Sequence, residues 1–145
     1  MTLDELICKM EIQDLIYNHA RHLDNHEFEQ SKEFYTPDGV IAGPTGDVTR
    51  AFDMPLETMQ KQSSNLKPRL LTSVTVTPTG PGTAKAFAYC TVRRDFLPNW
   101  EWRYDFVKTD KGWRCRRMEP TPIEQYEGEL AKVLAEAAAK AKQSA

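Results

Sequence analysis

Ten residues, NHARHLDNHE at positions 18 to 27, hold all three histidines of the chain, His19, His22 and His26, with Asp24 among them. Imidazoles and a carboxylate this close together suit a metal site, a catalytic base with its helpers, or the end of a helix. Spacing separates the three. On a helix of about 100° per residue with Ile12 at zero, His19 lies at about 340°, inside an apolar stripe, and Asp24 at about 120° on the flank, near Tyr17. His19 and Asp24 therefore point apart. His22 and His26 would share the His19 face in the spacing i, i+3, i+7 only if the helix ran on to His26. The Asp-Asn step is expected to end it first, so no metal site is expected and His22 and His26 are read as surface residues. His19 is then a satisfied histidine of the core or pocket wall, or a proton-transfer group. Asp24 is either a helix-end carboxylate, paired or capping the following helix, or a pocket carboxylate acting as general acid or base with Tyr17 as hydrogen-bond partner.

A second constellation is the run NWEWRYDFV, 99 to 107, where Trp100, Trp102, Tyr104 and Phe106 alternate with Glu101, Arg103 and Asp105. A face this aromatic packs beneath helices or forms the wall of a cavity for a flat, apolar ligand, and in a concave sheet the two coincide. Tyr89, Thr91 and Arg93 alternate on a neighbouring stretch and offer hydrogen bonds to a ligand if they face inward; a slip of one residue reverses that. Cys8, Cys90 and Cys115 lack metal-type spacing and read as free buried thiols. The basic run RCRR, 114 to 117, is split by strand alternation, Arg114 and Arg116 on one face, Cys115 and Arg117 on the other. With a formal net charge of −2, the chain is not expected to bind nucleic acid. No GxSxG, P-loop or GxGxxG occurs, so covalent and nucleotide-dependent chemistry are not expected.

The elements that must position these residues follow from periodicity. Thr2 and Glu5 form a capping box at the start of a first helix, whose apolar residues Leu3, Leu6, Ile7 and Met10 give way, after a phase slip, to Ile12, Leu15, Ile16, Ala20 and Leu23. A short second helix covers 27 to 34, TPDG at 36 to 39 makes a turn, and Val40 to Ala42 a short strand. GPTGD, 43 to 47, is a hairpin turn or loop, and 53 to 62 a third helix with proline near its first turn. Long strands follow at 69 to 77, with Leu70, Thr72, Val74 and Val76 on one face, then at 84 to 94, 100 to 108 and 113 to 119. TDKG makes the last tight turn, and a helix from Ile123 to Lys142 closes the chain. Helices followed by long antiparallel strands define an α+β domain with helices on one face of a curved sheet. The 145 residues suit one domain, 1–145, with 123–145 as a helical extension. No apolar run is long enough to span a bilayer, and MTLDELICKM lacks the pattern of a secretory signal, so a cytoplasmic protein is expected.

Four stretches, IQDLIYNHARHLDNHEFE, FYTPDGV, RLLTSVTVTP and VKTDKGWR, in this order and spacing, resemble the SnoaL-like branch of the NTF2-like superfamily, the cone fold shared with ketosteroid isomerase and scytalone dehydratase. The resemblance implies N-terminal helices on a strongly curved antiparallel or mixed sheet, an extra C-terminal helix, a deep apolar pocket, no cofactor and a homodimer formed through the exposed sheet. In related dehydratases the aspartate at Asp24 pairs with a histidine at the start of the strand after the third helix. That position is Arg69 here. Arginine stays charged and takes no proton from substrate at neutral pH. Relatives often carry a tyrosine at His19, which suits a polar group on the pocket floor.

The expectation is a cofactor-free enzyme, a dehydratase, isomerase or cyclase, acting by acid–base chemistry on a small hydrophobic or aromatic metabolite. Asp24, Arg69 and His19 would carry the chemistry, and Tyr17, Tyr89, Trp100, Trp102 and Tyr104 would line the site. The alternative is a non-catalytic ligand-binding protein or oligomeric scaffold subunit with the same cone. What separates them is whether Asp24 and Arg69 face one open cavity.

Overall fold

The computed structural model describes residues 1–93, 98–123 and 129–144. Helix α1, Leu3–Asp24, starts at the expected capping box: the Glu5 amide donates to Thr2 Oγ1 at 3.1 Å and the Thr2 amide to Glu5 Oε2 at 2.8 Å. Cys8, Ile12, Ile16, His19 and Ala20 are its buried residues. Leu3, Leu6, Ile7 and Met10 are exposed instead, so the supposed phase slip is a second apolar face, turned away from the core. Asn25 caps the helix, and His26 at φ 58° turns the chain out of it, which removes the i, i+3, i+7 histidine alignment. The short α2, Phe28–Lys32, follows.

Strand β1, Tyr35–Ala42, begins earlier than expected, and TPDG lies within it rather than forming a turn. The cause is the partner: β1 runs parallel to β6, Gly112–Pro122, pairing Tyr35 with Cys115 and Val40 with Arg117, and the register shift between them accommodates the Pro-Asp-Gly segment as an irregularity. Val48–Arg50, β2, returns antiparallel across the expected GPTGD turn, closed by the Gly43 amide on the Asp47 carbonyl at 2.7 Å, with Gly46 at φ +90°. Pro55 is the N-cap of α3, Leu56–Ser63. Three long strands, β3 Leu70–Gly80, β4 Thr83–Thr91 and β5 Asn99–Thr109, then pair antiparallel and onward to β6. The result is an open six-stranded mixed sheet of order β2-β1-β6-β5-β4-β3, the α+β cone with helices on one face.

Two irregularities change which residues face inward. Ser73 at φ 53° sits where the β3–β4 register shifts between Thr72 and Thr75, so Leu71, Val74 and Val76 point to the core while Leu70 and Thr72 are exposed, against the simple alternation expected. In β6 the register shifts so that Asp105 pairs with Arg117 and Phe106 with Cys115. Arg116 is the extra residue; Cys115 and Met118 are both buried, and Arg117 leaves the Cys115 face to pair with Glu119 at 2.6 Å. The inward residues of β4 are Ala84, Ala86, Ala88 and Cys90, small enough to admit Trp102, Tyr104 and Phe106 of β5 beneath α1. The expected strand end at Arg94 lies outside the described residues; Ile123, where the last helix was expected to start, is not helical, and its amide donates to the Asn99 carbonyl at 3.0 Å. The last helix, α4, covers Glu129–Ser144, and no described helix is long and apolar enough to cross a membrane.

Candidate active site

Between α1, the β1–β2 hairpin, α3 and the inner face of the sheet is an open cavity of about 450 Å³. Its walls are mostly apolar: Leu23, Ile41, Met54, Met59, Trp100 and Trp102. Its polar floor is His19, Ser63 and Arg69, while Lys32 and Asp47 also line it. Trp100 and Trp102 thus stand where the aromatic alternation put them. Tyr104 shares that face but is core: it is 3% exposed and contacts the Phe34 ring.

The helix end and the strand start explain how the floor is built. Asp24 is the last residue of α1, and Arg69 directly precedes β3. Arg69 Nη1 donates to Asp24 Oδ1 at 2.6 Å and the Arg69 amide donates to Oδ2 at 3.1 Å, so both carboxylate oxygens are taken. Arg69 Nη2 donates to Ser63 Oγ at 3.0 Å at the end of α3. The pair is buried, with the side chains 5% and 12% exposed. Arg69 lines the cavity and Asp24 does not; it stands behind the guanidinium. Of the two readings open for Asp24, the geometry matches the paired helix-end carboxylate.

His19 does reach the cavity. It is 4% exposed, stacked on Phe34 at 4.1 Å between ring centroids and met edge-on by Tyr35 at 5.5 Å. Its Nδ1 is buried and has no hydrogen-bond partner among the described residues. Burial, reinforced by the positive charges of Arg69 and His22, lowers its pKa to about 3, so the ring is neutral across the physiological range. It is therefore not the hydrogen-bond-satisfied histidine that a core position favours. His22 pairs instead with Glu27 at 3.5 Å and His26 stacks on Phe28. Among the described residues no three histidine, cysteine or acidic side chains are grouped to hold a metal.

Tyr17 and Tyr89 are not brought to the site. Tyr17 lies on the outer face of α1, 45% exposed, and Tyr89 on the outer face of β4, 40% exposed, because Ala88 and Cys90 take the inward phase. Sequence reasoning missed Tyr35, Ser63 and Met118. Tyr35 lines the cavity and donates to Met118 Sδ at 3.5 Å; it sits in FYTPDGV, where a turn was expected and no inward face was sought. Ser63 carries no sequence signal at all. The thiols are inert: burial pushes Cys90 up to about 12 and raises Cys115 further, and Cys8 is also raised, mainly by burial.

Comparison with known proteins agrees with this architecture. The SnoaL-like domain family matches residues 4–119. An NTF2-like protein with a cystatin-like fold from Novosphingobium aromaticivorans superposes with a TM-score of 0.70 at 23% identity, over 84% of this chain and 86% of that one. A candidate scytalone dehydratase from the same organism gives 0.62 at 14% identity, over 78% and 82%. A candidate dehydratase of the NTF2-like family from Streptomyces avermitilis gives 0.67 at 16%, over 81% and 97%. These likenesses carry the fold. No curated protein matches the chain.

Proposed function

The chain belongs to the SnoaL-like domain family, and from that premise we propose that it is a cofactor-free enzyme of the lyase or isomerase type, built as one domain, 1–145, with a C-terminal extension that contains α4. It takes a small, mostly apolar, carbonyl-bearing metabolite into the cavity and moves a proton on it. The observation that carries this reading is a neutral, buried imidazole with an unpartnered nitrogen, His19, on the floor of an open apolar cavity beside the Arg69 guanidinium. Such a polar group costs stability where it stands, a cost tolerated when the group has work to do.

The roles follow from chemistry. His19 accepts the proton from the carbon next to the substrate carbonyl; the C–H electron pair moves into the carbonyl, and the resulting enolate oxygen is met by Arg69 N–H groups not engaged by Asp24 or Ser63. The proton returns to another carbon in an isomerisation, or leaves with a β-hydroxyl as water in a dehydration. By itself His19 is a weak base. Negative charge developing beside Arg69 offsets the guanidinium and raises the imidazole pKa as the reaction proceeds. Asp24 is a positioning residue, aiming the Arg69 guanidinium and balancing its charge. Trp100 and Trp102 offer flat apolar surface to the ligand.

Two observations favour the alternative of a non-catalytic binding or scaffold subunit: the carboxylate that would be the strongest base is committed to Arg69 through both oxygens, and Asp24 does not share the cavity that Arg69 lines, the condition that was to separate the two readings. A bicyclic aromatic ketone such as α-tetralone, incubated with the protein in D2O, separates the two. The enzyme reading expects proton–deuterium exchange at the carbon beside the carbonyl, lost in His19→Phe while quenching of tryptophan fluorescence still reports binding. Binding without exchange in the unaltered protein sinks the enzyme reading.

A further inference from the structure

A hydroxyl group has one hydrogen to donate and two lone pairs to accept with, and a buried one normally finds partners for its polar atoms. Ser31 in α2 and Ser64 at the end of α3 donate to a carbonyl of the preceding turn, Ser31 Oγ to Phe28 at 2.7 Å and Ser64 Oγ to Gln60 at 2.8 Å. Ser63, the last residue of α3, does otherwise. It is 5% exposed, lines the cavity and accepts from Arg69 Nη2 at 3.0 Å, but among the described residues no acceptor takes its own hydrogen. The guanidinium beside it polarises that O–H bond and makes it a better donor. A second incomplete group shares the floor, the buried His19 nitrogen. One ligand completes both if it brings an oxygen for Ser63 and an acidic hydrogen for His19. An enolisable ketone or aldehyde carries the two on adjacent carbons.

We propose that Ser63 is a further catalytic residue, its O–H and a free N–H of Arg69 donating together to the carbonyl oxygen of such a ligand. This rests on reading the cavity as a proton-transfer site. The carbonyl oxygen has two lone pairs, one for each donor. As the C–H electron pair moves into the carbonyl, the oxygen gains negative charge and both hydrogen bonds strengthen. Ser63 keeps its proton throughout, and no covalent bond to it forms or breaks. The end of α3 sets one donor and Asp24 holds the other from behind, so the clamp stands ready before a ligand arrives.

Infrared spectra of bound α-tetralone, isotopically labelled at the carbonyl carbon, read the donors without requiring turnover. In the unaltered protein the carbonyl band should lie below its frequency in apolar solvent. Ser63→Ala should give back part of that shift, while Ser63→Thr, which keeps the hydroxyl, should retain it; circular dichroism and melting check that each variant folds. Because Ser63→Ala also removes a partner of Arg69, the substitution is repeated on top of Asp24→Leu with Arg69→Met. There a direct donor still moves the band, and a residue acting only through Arg69 does not. In D2O, Ser63→Ala should slow exchange at saturating ketone about a hundredfold, while affinity read by tryptophan quenching falls no more than about tenfold. An unshifted band in the unaltered protein overturns the proposal. So does a band that Ser63→Ala leaves in place or moves only when Arg69 is present, or a threonine variant that behaves like the alanine one. His19→Phe should lose exchange and keep the shifted band. A shift that depends on Ser63 in an unaltered protein that exchanges nothing would sink the enzyme reading and keep the clamp as a ligand site.

Discussion

Asp24→Asn tests the floor of the site at its most exacting point. It leaves the Arg69 guanidinium, 5% exposed, without its counter-charge, and should cost about 3–5 kcal/mol of stability. Arg69→Met together with Asp24→Leu removes both charges and should cost less than Asp24→Asn alone, a difference that chemical denaturation of the two variants would measure. An Asp24→Asn protein of unchanged stability would contradict the buried pair. His19→Phe makes the opposite prediction. It keeps an aromatic ring stacked on Phe34 and deletes an orphaned buried nitrogen, so it should stabilise the fold by about 1 kcal/mol or more while abolishing proton exchange. Sequence alone named both residues and the spacing that turns them apart. It could not show that Asp24 stands behind Arg69, because that depends on where the chain re-enters 45 residues later.

At the scale of elements, three departures from simple periodicity are places where a strand shifts register. Gly39 marks one. A Cβ there would lie 2.9 Å from the Thr36 carbonyl oxygen and 3.0 Å from that of Cys115, both backbone atoms that cannot swing aside. Gly39→Ala should therefore destabilise by about 1–3 kcal/mol through overpacking, a loss measurable as a lowered melting temperature. The same change at Gly43, where the nearest atom is 3.7 Å away, should be far milder and serves as the control. The shifts at Ser73 and Arg116 likewise set the phase of Leu71 and Met118 toward the interior. Such irregularities arise from pairing with a distant strand, so local sequence patterns locate the strands without fixing which residues face in.

For the molecule as a whole, His19 couples folding to pH. Its pKa is about 3 in the folded chain against 6.5 in the reference state, so below pH 6.5 the unfolded chain binds a proton that the folded one refuses. Its contribution to stability is complete above about pH 6.5, declines by up to about 1.4 kcal/mol per pH unit as pH falls, and levels off near pH 3. Melting curves of His19→Phe should show a shallower acid limb than those of the unaltered chain; parallel limbs would contradict the burial of a neutral ring. The amino-acid sequence by itself determined the order of the helices and of the four long strands, though not β2, together with the α+β class, the capping box and the aromatic inner face of β5, since each rests on residue spacing within one segment. Only the tertiary structure decided that Tyr17 and Tyr89 face outward, that Tyr35 and Ser63 join the site, and that Arg69 and not Asp24 meets the cavity. These depend on strand register and on which helix covers which face, and that information lies in contacts between segments.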